Sequence, residues 1–183
     1  MQKRKEAKLI GNNDRKSYKL KIKNMIKNLQ ILTLIFIFPS LSFGQKNEAI
    51  NWLTFEKLED SLSVKPKKTF LYFYADWCVY CKKMDRNTFK NTEIIEKLNT
   101  DFYAVKMNAE STDTISFEGQ KFYNQQAKSM RNGTHQIPLL LASRKNKAFS
   151  LPAILILDEE FRVQNRQFEY LTIDKMLELI SIH

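Results

Sequence analysis

The apolar run "TFLYFYA", residues 69–75, stops two residues before the only two cysteines of the chain, Cys78 and Cys81. It is continuous rather than alternating, and turn signals bound it. That is the pattern of a central strand buried on both faces. The residues after the cysteines, to about Phe89, read as a helix. A chain that sets a C-x-x-C pair between a buried strand and a helix has few architectures open to it. The strand needs neighbours on each edge, and the sheet so formed needs helices over both faces.

The rest of the chain supplies them. Trp52, Phe55, Leu58 and Leu62 fall at helical spacing, which predicts a helix ended by Pro66 and its flanking lysines. "NTEIIEKLN", 91–99, predicts a helix capped by Asn91 or Thr92. "DFYAVKMNA", 101–109, alternates as a strand. "TISFEGQKFYNQ" predicts a hairpin turning at Glu118 and Gly119. "HQIPLLLASRK" predicts a short helix with Pro138 in its first turn. Strands over 152–158 and 161–168 can pair through Asp158, Glu159 and Glu160. A helix over 172–182, capped by Thr172, closes the order. The result is an α/β layer with both faces covered and an insertion before the strand at 152–158.

The chemistry of the cysteines follows from where they stand. The thiolate, not the thiol, attacks a disulfide. A helix N-terminus offers unpaired N–H groups and partial positive charge, both of which favour a thiolate. Cys78 is therefore the expected attacking sulfur, and Cys81, one turn on, the expected resolving one. Two intervening residues allow the Cα separation of about 5.5 Å that a disulfide needs. Lys82 and Lys83 add positive potential or are simply solvated. Two other readings compete. A zinc site needs four ligands, and only His135 and His183 are available, at a spacing that matches no zinc pattern. An inert structural disulfide closing so small a loop restrains the unfolded chain little.

"YADWCVYCKKM" resembles the active-site segment of the thioredoxin superfamily, in which Trp-Cys-x-x-Cys-Lys follows the central strand. It is most similar to the exported thioredoxin-like proteins of bacterial cell envelopes. Two further segments, in order, carry the resemblance over about residues 50–182. "AVKMNAE" aligns Lys106 with the family's lysine near the cysteines. "SLPAILILD" aligns Pro152 with its cis-proline and Leu151 with the residue before it. The resemblance implies a thioredoxin fold, with a central mixed β-sheet flanked by helices on both faces. It also implies a thiol–disulfide oxidoreductase whose catalytic residues are Cys78 and Cys81. Trp77, Val79, Tyr80, Lys106, Leu151 and Pro152 are the supporting site.

Trp77 is expected beside the sulfurs, with a core aromatic as the alternative. No cofactor is implied beyond the redox-active disulfide, and no metal. The partners expected are protein thiols and disulfides, with a membrane electron donor, and the chain is expected to be a monomer. Reduction is the favoured direction, since Leu151 is aliphatic as in reductive thioredoxins. An oxidase or isomerase on the same scaffold is one alternative, and a non-catalytic binding or adaptor protein is another.

The departures from the family are specific. Tyr72 stands where thioredoxins carry a buried aspartate six residues before the first cysteine. The proton acceptor for Cys81 is then open between Tyr72, Lys106 and water. Val79 and Tyr80 replace the usual Gly-Pro. Residues 111–150 exceed the simple thioredoxin connection. They are read as a packed excursion, with a lid or partner-binding surface as the alternative.

Charge and hydropathy concern the N-terminus. Net charge is +10, but residues 1–44 hold ten Lys or Arg against two acids, and residues 45–183 hold twenty against eighteen. The basic balance is not a property of the folded body, so nucleic acid is not the expected partner. From Leu29 to Phe43 the chain is uncharged and apolar, but Pro39 and several serines interrupt it, and a membrane span needs about 20 apolar residues. Lys23 and Lys27 precede the run, and Ser42 and Gly44 are the small residues of a cut before Gln45. That is a signal-peptide pattern. The expected organisation is an over-extended start at 1–24, a signal peptide at 25–44 beginning at Met25, and a domain at 45–183. The location implied is periplasmic or otherwise exported, which suits a redox-active disulfide. An uncleaved N-terminal membrane anchor is the alternative.

Overall fold

A computed structural model describes residues 49–183, together with Lys23. The expectations for 1–24, for a signal peptide at 25–44 and for a cut at Gly44/Gln45 otherwise lie outside the described residues. Contacts group Met1–Gln45 and Lys46–His183 as separate units, and the second is the subject here.

The elements are β1 (Trp52–Leu53), α1 (Phe55–Val64), β2 (Thr69–Tyr74), α2 (Val79–Arg86), α3 (Thr92–Asp101), β3 (Tyr103–Asn108), β4 (Ile115–Phe117), β5 (Gln120–Phe122), α4 (Gln136–Ala142), β6 (Ala153–Leu157), β7 (Val163–Gln167) and α5 (Ile173–Ile182). Short 3-10 turns follow α2 at Thr88–Lys90 and β5 at Gln126–Lys128. Five strands form one mixed sheet in the order β1-β3-β2-β6-β7. β1 and β2 flank β3 in parallel, while β6 runs antiparallel to β2 and β7 antiparallel to β6. This is the α/β fold, with a central mixed sheet and helices on both faces, that the motifs implied.

The sheet's twofold side-chain alternation sorts the core into two clusters. On one face Phe70 and Tyr72 of β2 and Ile154 and Ile156 of β6 pack with Cys78, Cys81, Met84, Ile94, Leu98, Met176 and Ile180 of α2, α3 and α5. On the other, Leu71, Phe73, Ala153 and Leu155 pack with Phe55 and Leu58 of α1, Phe117 of the hairpin and Ile137 of α4. β2 is buried along nearly its whole length, as its unbroken apolar run requires.

Caps set the helix starts. Asn91 Oδ1 accepts from the N–H groups of Glu93 and Ile94, and Thr172 Oγ1 accepts from Lys175 N–H. The hairpin turns at Glu118 and Gly119, both with positive φ (51° and 68°), which matches the right-handed twist of its strands.

One expected element differs. Trp52 was grouped by spacing with the first helix, but it lies on the two-residue edge strand β1, paired with Ala104. Thr54 is extended and caps α1, with its side chain accepting from Lys57 N–H. The helix therefore starts two residues after the strand ends, and a strand of that length is too short to show its own periodicity.

Candidate active site

Cys78 is the N-cap of α2. Its backbone is extended, and its Sγ accepts a hydrogen bond from the backbone N–H of Cys81 at 3.1 Å. The Cys78 N–H is held by the Ala75 carbonyl and its carbonyl by the Lys82 N–H, both at 3.0 Å. The sequence folds this way because the central strand ends at Tyr74 and the chain must turn before α2 can begin. The sulfur thereby sits where the helix presents unpaired N–H groups. Cys78 and Cys81 form a disulfide, with their Cα atoms 5.2 Å apart.

The disulfide is nearly covered, with Cys78 3% and Cys81 1% exposed, but its collar is open: Trp77 is 58%, Val79 75% and Tyr80 60% exposed. Trp77 is thus no core aromatic. Its indole Nε1 donates to Glu110 Oε1 at 2.7 Å, which fixes the ring at the surface. On the other flank the Tyr80 ring lies 6.3 Å from that of Tyr170, and Lys83 Nζ stands 4.4 Å from the centre of the Tyr170 ring.

Beneath the pair, Tyr72 occupies the position at which the family resemblance leads one to expect an acid. Its hydroxyl donates to the Cys81 carbonyl at 3.2 Å. Burial above all, then the nearby Asp85 carboxylate and Tyr74, push the phenol well above its usual ionisation range. It is a neutral donor, not a base. Lys106, opposite Tyr72 in the β2–β3 register, forms an ion pair with Asp85 Oδ1 at 2.8 Å. Its Nζ also faces the rings of Tyr74 at 4.7 Å and Tyr72 at 5.5 Å. Tyr72 thus donates its O–H to the Cys81 carbonyl, and Lys106 is held in the ion pair with Asp85.

The Leu151–Pro152 peptide is cis. Pro152 is buried and Leu151 half-buried. Leu151 packs against both core clusters, including the one that contains the cysteines. It also shares a small cavity with Trp77. Trp77, Cys78, Val79, Tyr80 and Cys81 lie together at the start of α2, Leu151 packs on the cluster that contains both cysteines, and Lys106 lies opposite Tyr72 in the β2–β3 register.

Three neighbours were not singled out from sequence. Asp85 lies four residues after Cys81 and on the same helix face, so spacing alone could have found it. Glu110 and Tyr170 come from distant segments, and no local pattern marks them. His135, one of the two histidines weighed for zinc, is buried with both ring nitrogens engaged: Nδ1 accepts from Ile137 N–H and Nε2 faces the Asp113 carbonyl. Among the described residues no group of three or more His, Cys, Asp or Glu side chains is placed to hold a metal, and no helix is long and apolar enough to cross a membrane.

A disulfide at the start of the helix that follows the central strand of a mixed sheet is the arrangement of thioredoxin-like thiol–disulfide oxidoreductases. Residues 55–180 match the family described as Thioredoxin-like domain, and the chain belongs to that family. It is 26% identical over 102 residues to a thiol:disulfide interchange protein DsbD of Campylobacter jejuni (strain RM1221), a span of 56% of this chain and 17% of that protein. The DsbD of Pseudoalteromonas atlantica is 29% identical over 65 residues, 35% of this chain and 11% of that one. The chain thus spans less than a fifth of the length of these curated relatives. A thioredoxin-fold protein from Helicobacter pylori shares the fold with a TM-score of 0.51 at 13% identity, covering 76% of this chain and 79% of that one.

Proposed function

We propose that this protein is an exported reductase of protein disulfides, acting as a monomer without a bound cofactor. The observation that carries the reading is the Cys78 Sγ, which caps α2 and accepts the Cys81 N–H. In the reduced protein the same N–H and the helix dipole favour a Cys78 thiolate. That thiolate attacks one sulfur of a substrate disulfide. A Cys78–substrate disulfide forms and one substrate thiolate leaves. Cys81 then loses its proton and attacks Cys78 Sγ. The second substrate thiol departs, two electrons have passed to the substrate, and the intramolecular disulfide remains. Asp85, which α2 places one turn beyond Cys81, is the carboxylate assigned to accept the Cys81 proton.

A further cycle requires a dithiol donor, for which an exported protein would depend on a membrane redox protein. The similarity to DsbD, named as a thiol:disulfide interchange protein, supports a place in such a chain of exchanges. The aliphatic Leu151 before Pro152 supports the reducing direction. The signal-peptide pattern at 25–44 supports export with cleavage before Gln45. N-terminal sequencing of the secreted protein tests this, and an intact N-terminus would favour an anchor.

The deciding experiment is reduction of insulin by the protein and by Cys78→Ser. Wild type should be active and the variant inactive, whereas equal behaviour would leave only a binding role for the fold. A reduction potential near about −270 mV agrees with a reductase, and one near about −120 mV would make the protein an oxidant instead. Cys81→Ser should hold the physiological partner on Cys78 as a mixed disulfide.

A further inference from the structure

Against Trp77, the residue before Cys78, is a cavity of about 130 Å³, walled by Trp77, Glu110, Asn132, Thr134, Phe149 and Leu151. Trp77 directly precedes Cys78, and Leu151 packs on the cluster that holds both cysteines. A chain lying across the disulfide would therefore bring a residue next to its own cysteine over this opening.

The cavity is constructed by the insertion. Asn132, Thr134 and Phe149 all come from residues 111–150, and the segment is pinned from within. Asn124 is buried, and its Nδ2 donates to the carbonyls of Gly133 at 2.7 Å, Ser111 at 3.2 Å and Glu110 at 3.4 Å. Thr134 N–H donates to Gln126 Oε1 at 3.0 Å, and His135 N–H to the Ala109 carbonyl at 2.8 Å. At Gly133 a Cβ would lie 2.5 Å from backbone atoms of Gln126 and Ala127, so no larger residue allows this close approach. Walls held this way are set before a ligand arrives, which lowers the ordering cost of binding.

The chemistry of the walls selects the occupant. Glu110 uses Oε1 to hold the Trp77 indole, while Oε2 has no hydrogen-bond partner among the described residues. Trp77 and Phe149 supply aromatic surface. A free carboxylate oxygen beside the exposed Trp77 ring and the partly buried Phe149 suits a long cationic side chain, whose stem packs on the rings while its head meets the acid. Glu110 forms no ion pair with a cation of the protein among the described residues: Lys106 pairs with Asp85, and Lys83 stands over the Tyr170 ring.

We propose that this cavity is a specificity subsite that seats a lysine or arginine flanking the reacting cysteine of a polypeptide disulfide. The proposal rests on the disulfide-reductase reading. The insertion then has a task, which is to make the thiol exchange selective for basic sequences.

Stopped-flow oxidation of the reduced full-length protein by short cystine peptides tests it. The peptides carry Lys, Leu or Glu on the N-terminal side or on the C-terminal side of the cysteine. On one of the two sides the lysine peptide should react about 5- to 10-fold faster than the leucine peptide at low salt, with glutamate slowest. The ratio should shrink as ionic strength rises. Glu110→Gln, which keeps an oxygen for the indole, should bring the Lys-to-Leu ratio close to one, and Glu110→Lys should invert the order in favour of glutamate. Equal rates on both sides, or a lysine preference that survives Glu110→Gln, would overturn the subsite while leaving the reductase reading intact. No reaction with any peptide would instead overturn the reductase reading, and the subsite with it.

Discussion

On the face of the sheet that carries the disulfide, apolar side chains of β2 and β6 meet three helices, and buried polar groups are few. Across the sheet, α1, the β4–β5 hairpin and α4 also bury apolar groups, but residues 124–135 between them are tied by side-chain bonds to the backbone. Asn124, Gln126 and His135 hold together a stretch with little regular secondary structure. The first face is stabilised chiefly by burial, which tolerates small shifts. The second depends on particular bonds, which hold a shape or lose it. The protein keeps its cysteine pair on the first and builds part of the cavity against Trp77 from the second.

Substitutions on each face sharpen that comparison. Leu98→Ala removes a fully buried side chain from the disulfide face and should cost about 3 kcal/mol, read from the urea midpoint at constant slope. Asn124→Ala should cost about 2 kcal/mol, because three carbonyls and the Ala127 N–H lose a buried partner. Hydrogen exchange should rise only within 109–137, with the sheet unaffected. If protection fell evenly across the molecule, the two faces would be one cooperative unit.

Acid should probe the insertion next. Burial lowers the His135 pKa, partly opposed by the hydrogen bond to the Asp113 carbonyl, and its Nδ1 must be unprotonated to accept from Ile137. The unfolded chain therefore takes up this proton at a higher pH than the folded one. The stability from neutral His135 is complete above the unfolded value of about 6.5, and is lost as pH falls from there through the lower folded value. Urea midpoints measured from pH 7.5 to 5 should decline in the wild type, and that part of the slope should be missing in His135→Asn.

The smallest effects lie on β2. Tyr72→Phe removes the bond to the Cys81 carbonyl and should cost about 1 kcal/mol. Thr69→Val should be neutral or stabilise by up to about 1 kcal/mol, since the Thr69 hydroxyl is buried with no partner among the described residues. A clear loss there would mean that the hydroxyl has a role the fold does not reveal.

How much of this was legible in the sequence depended on the range of the interaction. The unbroken run at 69–75, the caps Asn91 and Thr172, and the turn at Glu118 and Gly119 are local, and each marks its element. Trp52 misled because its spacing to Phe55, Leu58 and Leu62 fits a helix, while its true partner, Ala104 on β3, is 52 positions along the chain. At the site, the cysteines and Pro152 stood out by residue type and motif. Glu110 did not, because its meaning comes from an indole 33 residues away. The insertion could be counted from sequence but not interpreted. Nothing about Asn124 or Gly133 in isolation shows that one threads three carbonyls and the other leaves room for a crossing backbone.

The bond from the Cys81 amide to the Cys78 sulfur makes one proton a gauge of the electron count. A sulfur in a disulfide draws weakly on that amide, and a thiolate draws strongly. The first turn of α2 should therefore tighten when the cysteine pair is reduced and slacken when it is oxidised. Val79 and Tyr80, exposed on the same turn, carry that difference to the surface.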